Sequence, residues 1–131
     1  MKLDAPLAND QSTSILIVDD DEMILELLAH AFKTFGFTVF TAGNGNDAWD
    51  IFNSQHIDTV LTDIRMPRMT GDALSRKIKN RSTDTQIVLM TGGERKIAAQ
   101  LINEGTADFC FWKPFNINSA CKLIAAGDPI C

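Results

Sequence analysis

Short, uninterrupted apolar runs alternate with longer stretches of helical period, and that alternation restricts the fold of this chain more than any single residue does. Residues 15–18 (ILIV), 37–42 (FTVFTA), 57–62 (IDTVLT), 87–90 (IVLM) and 109–112 (FCFW) are the strand candidates. Several are apolar without a break, the pattern of strands covered on both faces of a sheet. Between the first two runs, Ile24, Leu27, Leu28, Ala31, Phe32 and Phe35 recur at i, i+3, i+4, i+7, i+8 and i+11, an amphipathic helix that Gly36 stops. Ala48, Ile51 and Phe52 mark a second helix over 46–54, and Thr70 is the expected N-cap of a third over 71–80. Ile97 with Leu101 and Ala98 with Ile102 mark a fourth. Asn116 should cap a fifth that carries Ile117, Ala120, Cys121, Ile124 and Ala125 on one side. Strand and helix thus alternate five times, predicting an α/β fold with a doubly wound, five-stranded parallel sheet, helices on both faces and right-handed crossovers.

With 131 residues, of which 45% are apolar, the chain suits one compact domain. Residues 1–13 are polar and aperiodic and read as a flexible tail, leaving a domain over 14–126 and a short C-terminal tail over 127–131. Seventeen acidic side chains against twelve Lys and Arg give a net charge of -5, with no basic run to attract a phosphate backbone directly. Cys110, Cys121 and Cys131 lack metal-site or disulfide spacing. No stretch has the apolar length of a signal core or a membrane span, so a cytoplasmic protein is expected.

Parallel strands place their carboxyl ends on one edge of a sheet, where ligands of open α/β folds bind. Four expected strands end there in reactive side chains: Asp19, Asp20 and Asp21 after the first, Asp63 after the third, Thr91 after the fourth and Lys113 after the fifth. Several carboxylates so placed repel strongly unless they hold a proton or a cation. Mg2+, which takes hard oxygen ligands and commonly only one or two carboxylates, is the natural cation. Lys113 adds a compact positive charge, Thr91 a hydroxyl, and Gly92-Gly93 leave backbone N–H groups accessible at a helix start. Together these parts suit phosphoryl transfer to a carboxylate.

The same residues resemble the receiver domain of two-component response regulators, the CheY-like family. ILIVDDDE is similar to its first strand and acidic pair, and Asp63 to Gly71 (DIRMPRMTG) matches the family's D-x-x-M-P-x-M-x-G pattern; Thr91 and Lys113-Pro114-Phe115 complete it. The resemblance implies a flavodoxin-like three-layer fold with strand order 2-1-3-4-5 and a cis Lys113–Pro114 peptide. It implies Asp63 as the phosphorylation site, Asp20 as a direct Mg2+ ligand, Asp19 as a ligand acting through water, and the backbone carbonyl of Arg65 as a further ligand. Thr91 and Lys113 would contact the phosphoryl oxygens. The family usually places a Tyr or Phe switch residue three positions before the Lys; here that residue is Cys110, with Phe109 one earlier. Whether Phe109 or Cys110 accompanies Thr91 as the switch, or none does, stays open.

A histidine kinase or phosphotransfer protein is therefore the expected phosphoryl donor. The expected readout is a population shift across the face of the fourth helix, fifth strand and fifth helix, which would act on a downstream protein effector. Only GDPIC follows the fifth helix, so a stand-alone receiver without a DNA-binding output is expected, with homodimerisation on activation or a phosphate-sink role open. A phosphohydrolase of the haloacid dehalogenase type is the alternative, with Asp19 as nucleophile and Asp21 as acid/base. A nucleotide or flavin module lacks its glycine-rich turn after the first strand. Asp21 alone reads as a helix cap, His30 and His56 as surface or packing residues, and Trp49 and Trp112 as packing residues.

Overall fold

The computed structural model describes residues 12–126. The tail expected over 127–131 and all but the last two residues of that expected over 1–13 lie outside the described residues. The order of elements is β1 (Ser14–Val18), α1 (Glu22–Thr34), β2 (Thr38–Ala42), α2 (Gly45–Ser54), β3 (Thr59–Asp63), α3 (Gly71–Arg81), β4 (Gln86–Thr91), α4 (Arg95–Asn103), β5 (Phe109–Trp112) and α5 (Ile117–Ala125). The five strands form one parallel sheet in the order β2-β1-β3-β4-β5. The alternation in the sequence therefore yields the predicted three-layer architecture.

Period-two side-chain alternation divides the core between the two sheet faces. Leu16, Val60, Ile87 and Leu89 join Phe52, Leu74, Ile78 and Leu101 on the side of α2, α3 and α4. Ile15, Ile17, Leu61, Val88 and Met90 join Leu28, Phe32, Ala120 and Ile124 on the side of α1 and α5. Such apolar burial is the dominant favourable contribution to folding, at about 25 cal/mol per Å2.

The α1 stripe is only partly core. Leu28 and Phe32 are buried, but Leu27 is 56% exposed, so this part of the helical period faces outward. Gly36 ends the helix with a φ of 96°, a conformation that a side chain would strain. Phe37 then packs edge-on against Phe32 at 5.0 Å instead of opening the strand, and β2 begins one residue later than its apolar run. Asp21 and Asn116 cap α1 and α5 as the sequence predicts: Asp21 accepts from Met23 N–H at 3.0 Å and Asn116 from Ser119 N–H at 2.9 Å. Thr70 occupies the N-cap position of α3 but its side chain makes no capping bond.

β3 starts at Thr59 and not at Ile57, because Asp58 is held by side-chain bonds to the first strand. Its Oδ2 accepts from Ser14 N–H at 2.9 Å and from Ser14 Oγ at 3.1 Å, and its N–H donates to Ser14 Oγ at 2.9 Å. His56, 86% exposed, faces Asp58 Oδ1 across 2.9 Å, a partner not apparent from spacing alone. Burial opposes ionisation of Asp58, yet these bonds outweigh it and hold the carboxyl below its ordinary range. A depressed carboxylate pKa contributes stability above the unfolded-state pKa of about 4 and loses it as pH falls through the folded value. Asp58→Asn should therefore lower stability at pH 7 by about 1 kcal/mol, a charge-assisted value discounted for exposure. Thermal melts at successive pH values should show that gap closing below about pH 4; a constant gap would assign the effect to packing.

Candidate functional site

The carboxyl edge of the sheet brings the expected residues together. Asp19 follows β1 and is fully buried, Asp63 ends β3 at 8% exposure, Thr91 ends β4 and is buried, and Lys113 follows β5. One carboxylate oxygen from each of Asp19, Asp20 and Asp63 lies within 4.8 Å of the others, with Asp20 at the exposed lip. Lys113 Nζ bridges the two buried carboxylates, 2.9 Å from Asp19 Oδ2 and 3.0 Å from Asp63 Oδ2. The cleft above them, about 590 Å3, is also lined by Arg65, Met66, Pro67, Gly92, Gly93 and Glu94. Asp21 stands apart, committed to the start of α1.

Local backbone geometry fixes these groups. The β1 edge continues past the strand, with Asp19 N–H donating to Ala42 O at 3.2 Å, and Asp19 Oδ1 accepts from Asp21 N–H at 2.9 Å. Asp63 Oδ1 accepts from Ile64 N–H at 2.8 Å, which leaves Oδ2 toward Lys113. Gly71 N–H donates to Ile64 O at 2.8 Å and closes the loop between β3 and α3, within which Arg68 takes the left-handed conformation at φ 65°. Thr91 Oγ1 accepts from Gly93 N–H at 3.3 Å and Glu94 N–H at 3.2 Å, so the hydroxyl organises the turn into α4 while lining the cleft. The Lys113–Pro114 peptide is cis.

Burial pushes the Asp63 carboxyl above its ordinary range; Lys113 opposes this, and the neighbouring Asp19 charge adds to it. Burial also works against the Lys113 ammonium, but its bonds to Asp19 and Asp63 hold its pKa above the ordinary value. Three carboxylates offering hard oxygen donors around an open cleft fit a small divalent cation with some waters retained.

Removing the ammonium alone leaves the carboxylates facing one another. Lys113→Ala should cost about 2 kcal/mol at pH 7 without added cation, below the value for a fully buried pair because Lys113 is 24% exposed. The loss should shrink on acidification, as the carboxylates protonate. An unchanged melting temperature at pH 7 would show that the bridge contributes nothing to folding.

The two candidate switch residues separate by face. Phe109 packs with the α1 and α5 side, edge-on to Phe111 at 4.9 Å. Cys110 pairs in register with Leu89 and packs on the α4 side, the face that Thr91 shares by period two. β5 pairs with β4 at four successive positions from Phe109 to Trp112. Cys110, three positions before Lys113, is half-buried, and burial pushes its thiol up to about 11. Trp112, read from the sequence as a packing residue, packs at the surface: it is 41% exposed, pairs in register with Thr91, and carries the Arg95 guanidinium 4.8 Å above its ring.

Sequence reasoning missed Glu94 and Arg95. Arg65 Nε donates to Glu94 Oε2 at 2.9 Å, and a second guanidinium nitrogen meets the same oxygen, joining the loop after β3 to the start of α4. The partners lie 29 residues apart on different loops, so no local spacing announces them. The only signal is that both follow strands ending at the same edge.

A family model described as response regulator receiver domain matches residues 15–125. The chain is similar to the regulatory protein AtoC of Escherichia coli, 37% identical over 105 residues that make up 79% of this chain and 23% of that protein. It is also similar to the autoinducer 1 sensor kinase/phosphatase LuxN of Vibrio campbellii, 36% identical over 85% of this chain and 13% of that protein. The chain thus spans less than a quarter of the length of these relatives. The response regulator TrrA of Thermotoga maritima, solved in complex with Mg(2+)-BeF, superposes with a TM-score of 0.78 at 30% identity, covering 87% of this chain and 97% of that one. A CheY-like receiver domain protein from Methanospirillum hungatei gives 0.84 at 24% identity over 89% and 94%, which bears on the fold alone.

Proposed function

Because this chain belongs to the response regulator receiver domain family of two-component signalling, we propose that Asp63 is its phosphoacceptor, with Mg2+ as cofactor and a histidine kinase or phosphotransfer protein as donor. The observation that carries this reading is the Lys113 ammonium seated between Asp19 and Asp63 above an acidic trio at the sheet edge.

In this reading an oxygen of ionised Asp63 attacks phosphorus on the donor's phosphohistidine. A P–O bond forms, the P–N bond breaks, and the imidazole nitrogen leaves with the electron pair and takes up a proton. Lys113 and the Ile64 N–H favour the ionised form of Asp63, opposing the burial that raises its pKa. Asp20, Asp63 and the Arg65 carbonyl, with Asp19 through water, would hold Mg2+, which would supply neutralisation of charge on the phosphoryl oxygens. Lys113 and Thr91 then take those oxygens as hydrogen-bond and charge partners, and Thr91 relaxes its hold on the turn into α4. The group adds about 1.5 to 2 negative charges, which shifts the face of α4, β5 and α5 toward a state that controls a protein effector.

The hydrolase reading is weaker on geometry. Asp19, its required nucleophile, is fully buried and does not line the cleft that Asp63 lines, and Asp21 caps a helix instead of meeting the cleft. Incubation with acetyl phosphate and Mg2+ discriminates the two. We expect a Mg2+-dependent gain of one phosphoryl group that survives, slowed, in Asp19→Asn. Rapid hydrolysis of generic phosphate esters, abolished by Asp19→Asn, would overturn the proposal.

A further inference from the structure

Arg65 reaches across the mouth of the cleft and spends its charge on Glu94, although both line the space above Asp63. The two partners are unequally placed: the Arg65 side chain is 83% exposed, whereas that of Glu94 is 21% exposed. A guanidinium so exposed can turn about its stem at little cost, and an exposed ion pair in water is weak. A phosphoryl group on Asp63 would bring more negative charge than one carboxylate and oxygens that suit the planar guanidinium fork.

We propose that Arg65 is a further phosphoryl-binding side chain, held in reserve by Glu94, and that it exchanges the Glu94 carboxylate for phosphoryl oxygens when Asp63 is modified. This rests on the phosphoacceptor reading above. The exchange also reaches the output face. Glu94 stands at the N-cap position of α4 and makes no side-chain capping bond, its carboxylate being taken up by Arg65. Released, that carboxylate is free for the N-terminal N–H groups of α4, where negative charge is favoured. The next residue, Arg95, lies over Trp112 beside Thr91, so the start of α4 is tied to β5 at the same place. Cys110, packed into the α4-side core, offers no aromatic ring for that coupling.

A double-mutant cycle tests the exchange, with Mg2+-dependent beryllofluoride binding as the probe, followed by 19F NMR on the full chain. Wild type, Glu94→Gln, Arg65→Ala and the double variant are compared. Glu94→Gln should tighten binding roughly two- to fivefold, the scale of one exposed ion pair, by freeing the guanidinium. In the Arg65→Ala background the same substitution should change affinity little. Equal tightening in both backgrounds would reduce Glu94 to a general charge effect and overturn the exchange, as would no tightening in either. If the wild-type chain fails to bind beryllofluoride with Mg2+, it is the phosphoacceptor reading itself that falls.

Discussion

Gly71→Ala is expected to destabilise the protein by about 3 kcal/mol or more and to suppress phosphorylation in whatever remains folded. A Cβ at this position would overlap the carbonyl oxygen of Asp63 and stand 2.8 Å from Ile64 Cα. These neighbours are backbone, so no side chain can move aside. Relief requires displacing the end of β3 itself, and β3 carries the Asp63 carboxylate and pairs with both β1 and β4. A displacement near 1 Å of a reacting group can cost about 10²-fold in rate. Gly43→Ala is the matched control, since a Cβ there meets nothing within 4 Å. Urea melts and acetyl phosphate labelling of the two variants should diverge; similar stability would show that the loop after β3 yields more readily than its contacts imply.

Asp63→Asn should separate function from folding in the opposite way. Without a carboxylate oxygen to attack phosphorus, labelling should fall by roughly 10³-fold or more. Stability should not fall with it. Because burial raises the Asp63 pKa, the ionised group costs folding free energy once pH exceeds the unfolded-state pKa, fully so above the folded value. An amide of the same shape escapes that cost, so the variant should melt at or above the wild-type temperature at pH 7 without Mg2+. A variant that loses both labelling and stability would mean that Asp63 acts chiefly as a structural partner of Lys113.

These expectations draw on features legible to different degrees in the amino-acid order. Continuous runs such as ILIV and IVLM announce buried parallel strands, and the polar residues that close them announce the sheet edge at which Asp19, Asp63, Thr91 and Lys113 meet. The start of β3 is hidden because Asp58 is fixed by Ser14, 44 residues away, and not by its own apolar neighbours. Leu27 fits the helical period of α1 yet points outward, since period alone does not say how wide the buried stripe is. Spacing from Lys113 leaves Phe109 and Cys110 as alternatives until strand register assigns them opposite faces. The Arg65–Glu94 pair and the Arg95–Trp112 stack join separate loops and elements, and only the packed chain brings them together.

Glu94 and Arg95 also give the start of α4 a physical description. Arg65 on one side and Trp112 on the other hold the first turn of α4, next to the Thr91 hydroxyl that organises the same turn.

Locating the phosphoryl group decides whether Asp63 is the phosphoacceptor. Protein labelled with acetyl phosphate and Mg2+ is reduced with borohydride, which converts an aspartyl phosphate to homoserine, and the modified peptide is sequenced by mass spectrometry. Homoserine is expected at position 63 alone, dependent on Mg2+ and absent in Asp63→Asn. Modification at Asp19 or Asp20, a label on His30 or His56, or no label at all would contradict it.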